Sequence, residues 1–122
     1  MSYEMRFYVV QKSFNATVDG TIKRYGSIIA MFDYCADDKL ADYTSLVGKE
    51  TDTFLSIRDD TITKDMYGKP LRELTIDQML EFFKTDDDGK DYRRQKPFIK
   101  LLEGFKENID QFEDLVVLRY GY

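Results

Sequence analysis

The side chains of this sequence best able to do chemistry are carboxylates. Three acidic pairs, Asp37-Asp38, Asp59-Asp60 and Glu113-Asp114, and the run Asp86-Asp87-Asp88-Gly89-Lys90-Asp91 are the groups a metal-dependent hydrolase would need. Adjacency alone does not bring such groups together, because neighbours on a strand point apart. Each cluster also has a plainer reading: Asp59-Asp60 as turn chemistry, Asp37-Asp38 as a helix cap, Glu113-Asp114 as a polar lead-in to a strand. The acidic run fails as a calcium loop. With Gly89 at position 6, Lys84 falls at position 1 and Gln95 at position 12, where oxygen-donating acids belong.

The chain has 122 residues, no His and one Cys, so Ser-His-Asp and Cys-His devices and His-ligated metal sites are closed to it. Cys35 stands beside Asp33 and near Asp37, where a thiolate is disfavoured, and it reads as a small hydrophobe. No Walker or dinucleotide-type glycine loop is present. These residues point to a protein without catalytic residues, metal or cofactor, with the carboxylate hydrolase as the alternative.

Charge is unevenly spread. Residues 33–91 hold sixteen acids and eight bases, whereas both ends are weakly basic and the whole chain is −5. Immediately after the acidic centre, Arg93, Arg94, Lys96 and Lys100 fall within eight residues that contain no acid. An acidic face can occupy the nucleic-acid groove of a partner protein and speed encounter with it. Arg93 and Arg94 beside Tyr92 and Phe98 would suit phosphate contact, but the net charge argues against direct nucleic-acid affinity. The partner-binding candidates are therefore Asp37, Asp38, Asp59, Asp60, Asp86, Asp87, Asp88, Asp91, Arg93 and Arg94. Tyr67, in the loop Met66-Tyr67-Gly68, joins them as an aromatic contact, with Tyr120 and Tyr122 as further exposed aromatics.

The elements that must position these residues follow from periodicity. Residues 3–12 alternate as a strand, with Tyr3, Met5, Phe7 and Val9 opposed to Glu4, Arg6, Tyr8 and Val10. Asn15 to Gly20 reads as a loop ending in an Asp19-Gly20 turn. Residues 27–35 favour strand over helix on their Ile and aromatic content. A helix from Asp37 or Asp38 to about Val47 stops at Gly48. Thr53–Arg58 and Thr61–Asp65 form a hairpin around Asp59-Asp60, and Gly68-Lys69-Pro70 breaks the chain again.

Thr75-Ile76-Asp77-Gln78 is a capping box opening a helix with an Ile76, Met79, Leu80, Phe83 stripe. Pro97 begins another, with Phe98, Leu101 or Leu102, Phe105 and Ile109 inward. Asp114 to Tyr122 is a strand. Together they predict one α+β domain over 1–122: an antiparallel sheet with about three helices on one face. No run of about 18 apolar residues or basic-then-apolar leader is visible, which predicts a cytoplasmic protein that does not enter a membrane.

Four strings, Met1-Ser-Tyr-Glu-Met-Arg-Phe-Tyr-Val-Val, Ile29-Ala-Met-Phe-Asp-Tyr, Asp65-Met-Tyr-Gly-Lys-Pro-Leu and Leu115-Val-Val-Leu-Arg-Tyr-Gly-Tyr, resemble small accessory proteins of phages and mobile elements of Gram-positive bacteria. The resemblance carries over no functional residue. It implies a non-enzymatic module that binds and blocks a host protein or nucleoprotein complex, including the nucleases of defence systems, in the manner of an anti-CRISPR. A homodimer or larger homo-oligomer, built by strand addition through 115–120, is a third alternative.

Overall fold

The computed structural model describes residues 3–36, 48–85, 92–108 and 114–121. The elements run β1 (Tyr3–Val18), β2 (Thr21–Ala36), β3 (Lys49–Glu50), β4 (Thr53–Ile57), β5 (Asp60–Ile62), β6 (Arg72–Leu74), α1 (Ile76–Thr85), α2 (Tyr92–Glu107) and β7 (Leu115–Gly121). The seven strands form one sheet in the order β3-β6-β7-β1-β2-β4-β5. All pairings are antiparallel except β2 with β4, so the expected purely antiparallel sheet becomes a mixed one. Two helices lie among the described residues. The helix expected between Asp37 and Val47 falls outside them.

The long β1–β2 hairpin is the spine. Strand alternation in β1 sends Phe7 and Val9 to one face and Tyr8 and Val10 to the other, as the period-2 reading requires. Both faces are buried, and each has its own cover. Phe7, Val9 and Val117 meet Met79, Leu80, Phe82 and Phe83 of α1 and Phe98 and Leu102 of α2. Phe32 of β2 stacks on Phe98 with centroids 4.6 Å apart and meets Phe83 edge-on. Tyr8, Val10 and Leu118 on the second face are covered by Leu55 and Leu71, with Ile57 and Ile62 packed alongside. β4 pairs with β2 only at Arg24 and Tyr25, then lifts over this face as a hairpin with β5.

The expected loop from Asn15 to Gly20 is a correction: β1 continues to Val18, and only Asp19-Gly20 turns. Their φ values, 52° and 79°, are both left-handed, as a two-residue hairpin turn with the native strand twist requires. A register shift between Lys12 and Asn15 absorbs the irregularity. There the Arg24 guanidinium donates to the carbonyl oxygens of Lys12 (3.1 Å) and Ser13 (3.3 Å), supplying partners that the interrupted ladder does not.

Two further boundaries move, and one strand takes an unexpected place. In the β4–β5 hairpin Ile57 opposes Asp60, so Arg58 and Asp59 are the central turn residues and Asp60 belongs to the strand. α2 begins at Tyr92, which puts Pro97 inside the helix rather than at its first turn. Its missing N–H removes one bond that Arg93 would have accepted. Finally, β7 lies between β6 and β1 and is an interior strand. Strand addition through 115–120 therefore fails, because β1 and β6 already hold that strand on both sides.

The capping box forms as its spacing dictates. Gln78 N–H donates to Thr75 Oγ1 at 3.0 Å, and Thr75 N–H donates to Gln78 Oε1 at 2.8 Å. Ile76, Met79, Leu80 and Phe83 all reach the core, and so does Phe82. In α2 the inward residue is Leu102, while Leu101 stays exposed.

Candidate functional site

Two arrangements concentrate polar chemistry or exposed apolar surface, and neither unites the carboxylate pairs. Asp59 and Asp60 stand exposed at the β4–β5 turn. Asp37, Asp38, Asp86, Asp87, Asp88 and Asp91 lie outside the described residues. Arg93 and Arg94 belong to the first turn of α2, and their side chains are likewise outside what is described. Among the described residues no three Asp, Glu or Cys side chains converge as metal ligands would. Several acids of the central segment are already paired: Asp33 with Arg6, Asp52 with Lys12, and Asp77 with Lys106.

The first arrangement is a buried charge network that no sequence motif announced. Glu73, on the three-residue strand β6, is only 5% exposed. It accepts from Lys12 Nζ at 2.8 Å and from Thr51 Oγ1 at 2.8 Å, and Lys49 Nζ lies 3.4 Å from its second oxygen. Lys12 reaches on to Asp52 at 3.4 Å. Burial by itself would raise the Glu73 carboxyl. The bonds from Lys12 and Thr51 and the charges of Lys12 and Lys49 more than offset that, and hold it below the ordinary carboxylate range. Burial likewise works against the Lys12 ammonium, yet Glu73 and then Asp52 hold its pKa above the usual lysine value. Asp52 is lowered against its own burial, chiefly by Lys12.

Every member of this network is satisfied, and among the described residues no buried side-chain polar atom lacks a partner. The network ties β1, the β3–β4 connection and β6 together at one end of the second face. Gly48 makes the close approach possible. Its φ is +70°, and a Cβ there would stand 2.6 Å from the Glu73 carbonyl oxygen.

The second arrangement is the loop from Lys64 to Pro70, which the sequence singled out through Tyr67. Asp65 builds it. Its Oδ1 accepts the N–H groups of Tyr67 (2.9 Å) and Lys69 (3.0 Å), while its own N–H donates to the Lys69 carbonyl at 2.8 Å. Gly68 takes φ +75° to close the turn. The Met66 N–H then donates to the Gly121 carbonyl at 3.1 Å, fastening the tip to the end of β7. This scaffold holds Met66 (70% exposed) and Tyr67 (59% exposed) out to solvent, with exposed Lys64 and Lys69 on either side. Tyr120, by contrast, is half-buried against Tyr8 in an edge-on contact, and Tyr122 lies outside the described residues.

Beside Tyr8, Arg6 pairs with Asp33 and donates to the Tyr8 hydroxyl at 3.3 Å. These bonds, Asp33's first, raise the guanidinium further above its ordinary value. A concavity of about 170 Å³ opens at the start of α1, floored by Ile76, Phe105 and Leu115. Small-molecule sites are typically about 300–1,000 Å³. At its mouth the charges of Asp77 and Lys106 are satisfied by each other at 2.7 Å. No helix among the described residues is long and apolar enough to cross a membrane.

No family model matches this chain, and no curated protein or solved structure does.

Proposed function

We propose that this protein is a non-enzymatic protein-binding module that anchors on its partner through Met66 and Tyr67. One observation carries the reading: two large apolar side chains are held in solvent by a loop whose backbone is locked by Asp65 and by the bond to Gly121. Exposed aromatic and Met side chains on a pre-ordered support are what protein interfaces use as anchors, because little conformational freedom is lost on docking. Lys64 and Lys69 beside them suit a partner whose apolar pocket has an acidic rim.

The resemblance to accessory proteins of phages and mobile elements supports a finer reading, an inhibitor of a host nucleic-acid-processing or defence complex acting in the bacterial cytoplasm. The acidic centre of the chain would then steer encounter rather than form the anchor, with exposed Asp59 and Asp60 contributing. The test is affinity capture from a Gram-positive host lysate with the wild type, Tyr67→Ala/Met66→Ser and Asp59→Lys/Asp60→Lys. A specific partner, lost with the first variant and merely slower to bind with the second, is the expected result. Capture that the Tyr67→Ala/Met66→Ser variant leaves intact removes the anchor.

A further inference from the structure

We infer that the Met66–Tyr67 tip of one copy of this chain docks in the concavity at the start of α1 of a second copy, with Met66 entering it and Tyr67 lying across its mouth. The inference rests on the reading of this tip as an anchor and names a partner for it. The floor of the concavity is Ile76, Phe105 and Leu115, each packed against the helix-side core yet only partly buried. Its volume of about 170 Å³ is below that of a small-molecule site. It is close to that of an apolar cavity of about 150 Å³, lined by Leu, Ile and Phe, that holds a single benzene ring. A hollow of this size and lining takes one large apolar side chain. Met66 suits it, because an unbranched thioether adapts to irregular apolar gaps and brings no group that must be hydrogen-bonded. Tyr67, beside it, keeps its hydroxyl at the polar rim.

The tip cannot fill the concavity of its own chain. The Met66 N–H is bonded to the carbonyl of Gly121, the last residue of β7, whereas Leu115 is the first. Six strand steps of ~3.3 Å put these two ends roughly 20 Å apart. Asp65 and the Gly121 bond hold the loop where it is. Each copy thus offers a tip at one end of β7 and a socket at the other, and a contact between two such different patches is heterologous.

Charge selects a second copy as the occupant. Among the described residues lining the concavity, two acids, Asp77 and Asp114, stand against one base, Lys106. At the tip the signs are reversed: exposed Lys64 and Lys69 stand against Asp65, whose Oδ1 is taken up by the N–H groups of Tyr67 and Lys69. The Asp77–Lys106 pair and the 3.4 Å Asp114–Arg24 pair leave both carboxylates largely in solvent. Exposed pairs of this kind hold their members weakly, so each carboxylate can accept a further lysine. Apolar side chain to apolar hollow and lysines to acids are satisfied in one approach.

Sedimentation equilibrium of the full chain from about 0.05 to about 1 mM tests this, a range suited to so small an interface. The wild type is expected to show an average mass above 14.4 kDa that rises with concentration. Met66→Ser, Lys69→Asp and Asp77→Lys, all at exposed side chains, are each expected to stay at 14.4 kDa with unchanged circular dichroism. An equimolar mixture of Lys69→Asp and Asp77→Lys is expected to associate again, because each tip then meets a rim of opposite sign. A monomeric wild type at about 1 mM, association that Met66→Ser or Asp77→Lys retains, or a mixture that stays monomeric would each overturn the inference. The anchor reading is judged separately, by lysate capture with Asp77→Lys, which keeps the tip. A monomeric wild type whose lysate partner is still lost with Tyr67→Ala/Met66→Ser removes the second copy and leaves the anchor.

Discussion

Lys12 Nζ and Glu73 Oε1 stand 2.8 Å apart, although their residues are 61 positions apart in the chain and two strands apart in the sheet. Removing one partner leaves the other charge buried with less compensation. Lys12→Met is expected to lower unfolding free energy by about 2–4 kcal/mol, whereas Lys12→Met/Glu73→Met loses much less than the sum of the singles. Urea denaturation of the two singles and the double mutant measures the difference.

The same pair sets the pH profile. Glu73 is held below its ordinary 4.5, so its stabilisation is present above that pH and is lost as pH falls through the folded-state value. Lys12 is held above its ordinary 10.5, so its share is present below that pH and is lost as pH rises through its own folded-state value. Thermal unfolding should therefore be flat between these limits and fall outside them. Glu73→Gln should flatten the acid limb, and retention of the full acid limb in that variant would contradict the assignment.

Two glycines should respond oppositely to alanine. At Gly48 the left-handed φ and the 2.6 Å approach to the Glu73 carbonyl make Gly48→Ala destabilising, by about 1–3 kcal/mol. At Gly104, within α2, a Cβ meets nothing within 4 Å, and Gly104→Ala should stabilise by up to about 1 kcal/mol. Melting temperatures of the two variants on either side of the wild type are the expected readout.

Breaking the capping box should cost less than breaking the aromatic core. Thr75→Ala removes the acceptor for the Gln78 N–H and is expected to cost about 1 kcal/mol. Phe98→Ala removes a buried ring stacked on Phe32 and edge-on to Phe83, and is expected to cost about 3–5 kcal/mol. Chemical denaturation ranks the two, and a reversed order would mean that α2 contributes little to this core.

The sequence by itself determined what short-range chemistry determines. The alternation of Phe7 to Val10, the Asp19-Gly20 turn, the Thr75–Gln78 box and the loop around Tyr67 all formed, because each depends on residues within a few positions of one another. The tertiary structure alone decided which strands became neighbours. It put the β-prone C-terminal segment inside the sheet, between β6 and β1, and gave the two margins to the short strands β3 and β5. It made a strand of Arg72–Leu74, too short to carry a readable period, and buried Glu73 there beside Lys12. A lone Glu in a sequence has no mark of burial; its partner comes from across the sheet, and only pairing brings it there. The carboxylates that stood out as adjacent pairs carried local turn and cap signals, whereas Glu73, buried and paired with Lys12, stood alone.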